Sequence, residues 1–311
     1  MSNHSNLATF GPNANCTFEC LQLLCTIEMS VYSYRPSLPV NVNFAALFSL
    51  GTLVHAYLGL RWKTPSFMWC MILSCTHEVV GYIGRILLYK NPWSFGAFIT
   101  QIICITQAPV FYCAAIYVTL GQSIEHYSPS LARFPTKFFA WIFVPVDILS
   151  LVLQGTGGGL SASSSGSSQV GVKIAMAGLI LQVIMLVVFS VLFADYMFRY
   201  LKSSKSKHLE ARDKLFFSFL ALAVLTTLAR CIFRADELKE GYSGESTKHE
   251  GLFIGLEGVL IVVAIFSLCI AHPGFVFNRS PKTYYNVPAV EISREEGIPM
   301  SKPYDSADHS T

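Results

Sequence analysis

The sequence predicts an all-α membrane protein, a bundle of seven transmembrane helices. Three observations carry the prediction. Hydrophobic residues make up 52% of the 311 residues and charged residues only 13%, about half the charged share of an ordinary soluble chain. Seven stretches reach or approach the roughly 20 apolar residues that a membrane-spanning helix needs. Lysine and arginine are unevenly shared between alternate connections, the pattern that sets the orientation of multi-pass proteins. The net charge of +3 is small and spread out, so no nucleic-acid surface is expected.

The tail 1–41 comes first and is expected outside the membrane. It has no basic residue before Arg35 and no apolar stretch with a basic region ahead of it, so no cleavable signal peptide is expected. Asn3-His4-Ser5 and Asn15-Cys16-Thr17 are glycosylation sequons. Cys16, Cys20 and Cys25 allow one disulfide with a thiol left over, or free thiols throughout. The seven-helix domain, 42–271, follows, with spans at about 42–60, 66–89, 96–119, 138–154, 172–196, 214–234 and 251–271. Six further cysteines (Cys70, Cys75, Cys104, Cys113, Cys231, Cys269) lie in or beside these spans, where a thiol behaves as a small hydrophobe. Gly155–Gly171, glycine-rich and then serine-rich, reads as a flexible connector. The tail 272–311 is rich in Pro, Ser and Glu and reads as disordered. No internal repeat is visible, and an odd number of spans does not suit a simple inverted-repeat transporter.

The basic residues give the direction. With the N-terminus outside and the C-terminus cytoplasmic, fourteen lysines and arginines lie inside and six outside. The cluster Arg199–Lys214 between the fifth and sixth spans decides the sign. That loop also offers a site for an anionic lipid or a protein partner.

Polar groups inside hydrocarbon are costly and persist when paired, hydrated or functional. Near mid-membrane the spans place His55, Glu78, Gln107, Asp147 and Gln182. Toward the outer side they place Arg85, Gln101, Gln154, Arg230 and Glu257. The asymmetry points to a cavity reached from the outer side. In the second span Glu78, Tyr82 and Arg85 share one helix face. Glu78 and Arg85 lie about 10 Å apart along the axis, too far for an easy salt bridge, so each is expected to meet another helix. Two readings stand side by side: these charges glue the bundle, or at least one faces a ligand. Gln107-Ala108-Pro109 and Pro145 before Asp147 mark expected kinks. Arg230, Arg234 and Glu237 form a charged ladder leaving the membrane. Arg234 is explained by snorkelling, and Arg230 is expected to pair with Glu257.

Several functions do not fit. The last span has no lysine for a retinal Schiff base, and no phosphate-binding loop for an ATP-driven pump exists. The acidic-Arg-Tyr sequence of animal-type receptors is missing after the third span. A zinc hydrolase would need several ligands at one depth. His55, His77 and Asp147 are the candidates, but no His-x-x-x-His occurs. No metal or other cofactor is expected.

These residues together resemble the fungal Rta-like proteins, the lipid-translocating exporter family. The resemblance runs from about Tyr34 to Gly274. It rests on Tyr34-Arg35-Pro36-Ser37, Asn43 and His55, then Glu78-x-x-Gly81-Tyr82-x-x-Arg85, Gln107-Ala108-Pro109 and Ala115-Ile116-Tyr117. It continues through Asp147, Gln154-x-x-Gly157-Gly158, Gly178-Leu179-x-x-Gln182, Arg230-x-x-Phe233-Arg234-x-x-Glu237 and His272-Pro273-Gly274. The resemblance implies a plasma-membrane protein that translocates or exports amphiphilic lipids such as sphingoid long-chain bases and contributes to stress resistance. It leaves a receptor-like sensor of lipid stress as the alternative. The substrate-binding candidates are Glu78, Arg85, Gln107, Asp147, Gln182, Arg230, Glu257, His55, Tyr82 and Gln154. Glu78, Asp147 and Glu257 suit an ammonium head; Gln107 and Gln182 suit hydroxyls. Transport without ATP runs downhill or on an ion gradient, with Glu78 or Asp147 as the group that exchanges a proton. No enzymatic activity is expected.

Overall fold

The structure, a computed structural model, describes residues 27, 30, 32–133, 135–163, 169–203, 210–239 and 249–277. The sequons, the three tail cysteines and the polar tail beyond 277 lie outside the described residues. Seven long helices follow one another: α1 (Leu38–Trp62), α2 (Pro65–Lys90), α3 (Phe95–Tyr127), α4 (Lys137–Ser163), α5 (Gln169–Lys202), α6 (Ala211–Lys239) and α7. In α7 the segments Glu250–Leu252, Phe253–Val259 and Leu260–Ile270 run on without a break, and the middle one is π-helical. A short α8, Pro273–Phe277, closes the described chain. All seven long helices are long and apolar enough to cross a membrane, and among the described residues there is no strand.

Local chemistry sets the ends. Pro39 and Pro65 sit in the first turns of α1 and α2, where a missing N–H costs nothing. Lys63 ends α1 in the left-handed region at φ 53°, and the Thr64 N–H closes back on the Gly59 carbonyl at 3.1 Å. Ser94 caps α3 by accepting the Ala97 N–H. The short connections place neighbouring helices side by side and antiparallel. The end at which α1, α3, α5 and α7 begin is called here the upper end.

Burial separates the helices. In α3, 56% of the most apolar stretch is buried, against 28% in α1 and in α4. So α3 is central, and α1 and α4 turn most of their surface outward. Leu53, Tyr57, Leu60, Trp141, Val191 and Phe198 are among the apolar side chains left exposed, as a lipid-facing surface requires. The interior holds interlocked aromatic rings. Tyr117 lies 4.6 Å from Phe189 and 5.2 Å from Phe143, and Tyr82 packs between Phe44 and Phe48 at 5.1 and 5.4 Å. The six span cysteines are free thiols.

Two expectations are overturned. The tail expected to be disordered from 272 begins as α8, with Pro273, Gly274 and Val276 buried. Of the expected connector, residues 164–168 lie outside the described residues. Gly155–Ser163 is not a connector but the last two turns of α4, and Gln169–Gly171 already belongs to α5. The glycines serve helix contact. A Cβ on Gly157 would lie 2.3 Å from the Ala175 nitrogen and 2.6 Å from the Gly171 oxygen. One on Gly171 would lie 2.6 Å from the Ser161 nitrogen, and one on Gly178 2.7 Å from the Ser150 oxygen. Gly157-x-x-x-Ser161 thus faces Gly171-x-x-x-Ala175, a seam of small residues that lets two membrane helices touch backbone to backbone. Composition alone made this stretch look flexible; its spacing, not its composition, is what folds it.

Candidate functional site

A cavity of about 70 Å³ opens at the upper end among α3, α4, α5, α6 and α7. α3 supplies Phe98, Ile99, Ile102 and Ile103 as an apolar wall, and Gln101, Thr106 and Gln107 as polar points. α4 supplies Leu151, Gln154, Gly155, Gly158, Gly159 and Ser161, α5 supplies Ala175 and Leu179, and α7 supplies Phe253. Arg234, Glu237 and Leu238 come from the last turns of α6, and Tyr32 from the segment ahead of α1. Apolar walls with a few convergent polar groups are the usual make-up of a small-molecule site. The α4 glycines leave room here. A Cβ on Gly155 or Gly159 would meet nothing within 4 Å.

The charged side of the cavity belongs to a larger network. Arg234 Nη1 donates to Glu237 at 2.6 Å, and its Nη2 donates to Thr106 at 3.1 Å. Its Nε lies 3.0 Å from one oxygen of Glu257, and Arg230 binds the other oxygen at 2.7–2.9 Å. The expected Arg230–Glu257 pair is therefore formed. Arg234 departs from expectation: it does not merely reach for water but shares Glu257 and lines the cavity. Arg230 Nη2 also donates to the Ile105 carbonyl at 2.6 Å. That carbonyl is the one Pro109 leaves without its helical N–H, four residues on. α3 stays helical through Pro109, and the guanidinium stands in for the missing donor. Glu257 itself lies in the π-helical segment of α7, a distortion often found at functional positions.

On α2, Glu78, Tyr82 and Arg85 all point into the bundle and are buried. Glu78 and Arg85 are not joined, as their spacing implied. Arg85 is held near the upper end: Nε donates to Asn41 at 3.1 Å and Nη2 to Tyr34 at 3.0 Å. Its guanidinium lies over the Phe253 ring at 3.8 Å, with Glu250 at 3.9 Å. A desolvated cation over a ring is worth about 2 kcal/mol. Tyr34 lies ahead of the first span, and burial raises its hydroxyl above the usual tyrosine range, so it stays a neutral donor or acceptor. Both carboxylate oxygens of Glu78, and the Tyr82 hydroxyl, have no hydrogen-bond partner among the described residues.

The remaining candidates are scattered. Asp147 on α4 accepts from the Tyr117 hydroxyl at 2.9 Å. Gln154 donates to Gln182 at 2.9 Å, joining α4 to α5 beside the cavity. His55 lies 3.3 Å from the Ile265 carbonyl and 3.4 Å from the Cys269 sulfur, away from the cavity walls. His77 is on the outer side of α2 over Phe111. His55, His77 and Asp147 do not come together, and among the described residues no three His, Cys, Asp or Glu gather as a metal centre.

Of the ten candidates, Gln107 and Gln154 line the cavity directly, and Arg230 and Glu257 adjoin it through Arg234. Gln101, Thr106, Arg234 and Glu237 are cavity residues that the sequence reading did not place in a site. Arg234-x-x-Glu237 could have been found, since it stands one turn beyond Arg230 on the same face. Tyr32 carries no signal in a tail, nor does the free face of the α4 glycines.

Comparison with known proteins fixes the family. The model of the RTA1-like proteins matches residues 71–280. The chain belongs to the RTA1-like family. Its curated relatives include the sphingoid long-chain base transporter RSB1 of Saccharomyces cerevisiae, 32% identical over 283 aligned positions that cover 78% of this chain and 73% of that protein. The probable lipid transporter atnI of Emericella nidulans is 27% identical over 263 positions, 79% of this chain and 68% of that one. Protein RTM1 of Saccharomyces cerevisiae is 28% identical over 198 positions, 62% and 63% of the two chains. No solved structure matches the chain. This RTA1-like protein is thus a multi-pass, all-helical membrane protein with transporters among its relatives.

Proposed function

We propose that the protein translocates or exports amphiphilic lipids, sphingoid long-chain bases among them, through the upper cavity. The observation that carries the reading is the two-natured lining. Phe98, Ile99 and Ile102 form an apolar wall for a tail, while Gln101, Gln107, Gln154 and the Arg234–Glu237 pair face the same space. A sphingoid base has those two natures in one molecule: an ammonium head with hydroxyls, and one long chain. Glu237 offers a carboxylate to the ammonium, and the glutamines offer donors and acceptors to the hydroxyls. Two relatives named as lipid transporters support the same reading. The excess of basic residues on the lower side supports an orientation with the N-terminus outside, which turns the cavity outward. A plasma-membrane location and a part in resistance to toxic amphiphiles follow from that reading, and no chemical step on the lipid is needed.

The test is movement of a fluorescent sphingoid base between leaflets of liposomes holding the purified protein, with a neutral phospholipid as control. Wild type is expected to move the base faster than empty liposomes do. Gly155→Leu is expected to stop it, because a Cβ there meets nothing within 4 Å and the side chain extends into the cavity. Folded wild-type protein that moves no base would overturn the reading. It would transfer the role to a sensor of lipid stress, read out through the basic loop 199–214.

A further inference from the structure

We propose that Glu78 carries the proton whose release and return drive lipid movement, with Arg230 as the cation that receives the charge. This rests on the transport reading above. Glu78 is 1% exposed, and neither carboxylate oxygen has a hydrogen-bond partner among the described residues. A bare carboxylate in such surroundings is strongly disfavoured against the neutral acid. Asp147, the other unassigned acid in the spans, differs in that one of its oxygens, Oδ2, already accepts from the Tyr117 hydroxyl, while Oδ1 has no partner among the described residues.

The charges around Glu78 balance without it. Those that act on it are Arg230 and Arg234 from α6 and Glu257 from α7. The titratable groups on the elements packed here include Cys75 and Tyr82 on its own helix and Cys104 on α3. From α1, which packs on α2, the buried titratable group is His55, held at Ile265 and Cys269. The two arginines are neutralised by Glu257 and Glu237. A charged Glu78 adds an unbalanced negative charge, so the resting state holds it as the acid.

Release is a plain ionisation. The O–H bond of the carboxyl breaks, its electron pair stays on oxygen, and the proton passes to a water admitted to the carboxyl when the bundle opens; the return step reverses it. The new carboxylate then competes with Glu257 for Arg230. Glu257 can yield, because its segment Phe253–Val259 is π-helical and a return to α-helical pitch would turn it away. Loosening Glu257 loosens Arg234 and so the Arg234–Glu237 pair in the cavity wall. Proton and lipid head are thereby coupled through one chain of ion pairs.

The experiment uses liposomes with an imposed pH difference and a fluorescent N-trimethylated sphingoid base. Its fixed charge removes the passive uptake that a pH difference gives ordinary amines. Wild type is expected to accumulate the probe against its gradient, up to about tenfold per pH unit for one proton per lipid. Glu78→Gln, which mimics the acid, is expected to lose accumulation while still equilibrating the probe downhill. A pH dye inside wild-type liposomes gives a second readout that needs no variant: a probe gradient is expected to move protons the opposite way. Accumulation retained in Glu78→Gln, or no proton movement with wild type, would overturn the inference and leave transport standing. Failure of wild type to move the probe even downhill would overturn both.

Discussion

Between α4 and α5 the backbones meet over Gly157, Gly171 and Gly178, with no charge at the contact. Between α6 and α7 the contact is made by Arg230 and Arg234 on Glu257, long side chains that hold the helices by their ends. The first seam admits no alternative: backbone against backbone has one distance. The second has several, since an arginine can exchange one acceptor for another at little steric cost. The cavity lies between a fixed wall and an adjustable one. The lipid passage proposed above needs both.

The contrast can be broken from either side. Gly157→Leu is expected to have the largest effect, because its Cβ already falls 2.3 Å from the Ala175 nitrogen. It should separate the two helices and leave little folded protein, read as loss of a single sharp peak in size-exclusion chromatography. A normal yield with an unchanged unfolding midpoint would mean the seam is not backbone-close. Glu257→Ala comes next. It takes the carboxylate from the buried Arg230, and breaking a buried pair this way costs about 3–5 kcal/mol, to be measured by unfolding in mixed detergent. A smaller effect than that of Gly157→Leu is the expected order. Arg230 can then be dissected by a double-mutant cycle of Arg230→Gln with Pro109→Ala. Restoring the N–H at position 109 gives the Ile105 carbonyl its own donor, so the two changes should couple by about 1 kcal/mol. Additive effects would remove Arg230 from that role. The smallest effect belongs to Gly155→Ala, which faces open space two residues from Gly157 and should stabilise the helix by about 0.5–1 kcal/mol, as alanine for a mid-helix glycine does.

Much of the fold was legible in the sequence, because membrane spans announce themselves by apolar length and the family motifs are spread over all seven of them. Arg230 with Glu257 was legible too, since a deep arginine in a membrane requires an acid and the next helix has one. The ends of α4 were not. Glycine and serine read alike whether they loosen a loop or let two helices close, and only the partner spacing Gly171-x-x-x-Ala175 distinguishes the cases. The cavity was half legible. Gln107 and Gln154 stood out as polar residues in apolar runs, but Arg234 and Glu237 looked like the wet end of a helix. Tyr32 had no visible reason to be anything but tail. The glutamine pair Gln154–Gln182 joins residues 28 positions apart, a contact that no local pattern announces.

The segment before α1 has a practical consequence. Ser33 turns the chain at φ 56°, Tyr32 donates its ring to the cavity wall, and its hydroxyl accepts from Gln101 at 2.8 Å. Tyr34 and Ser37 tie the same stretch to Arg85 and Glu250. The stretch 32–37 is therefore not a neutral handle. A truncation to residue 37, or a fusion partner that pulls on this stretch, edits the cavity wall as surely as a point mutation does. Surface labels and antibodies aimed at residues 32–37 report on the cavity as well as on the amount of protein.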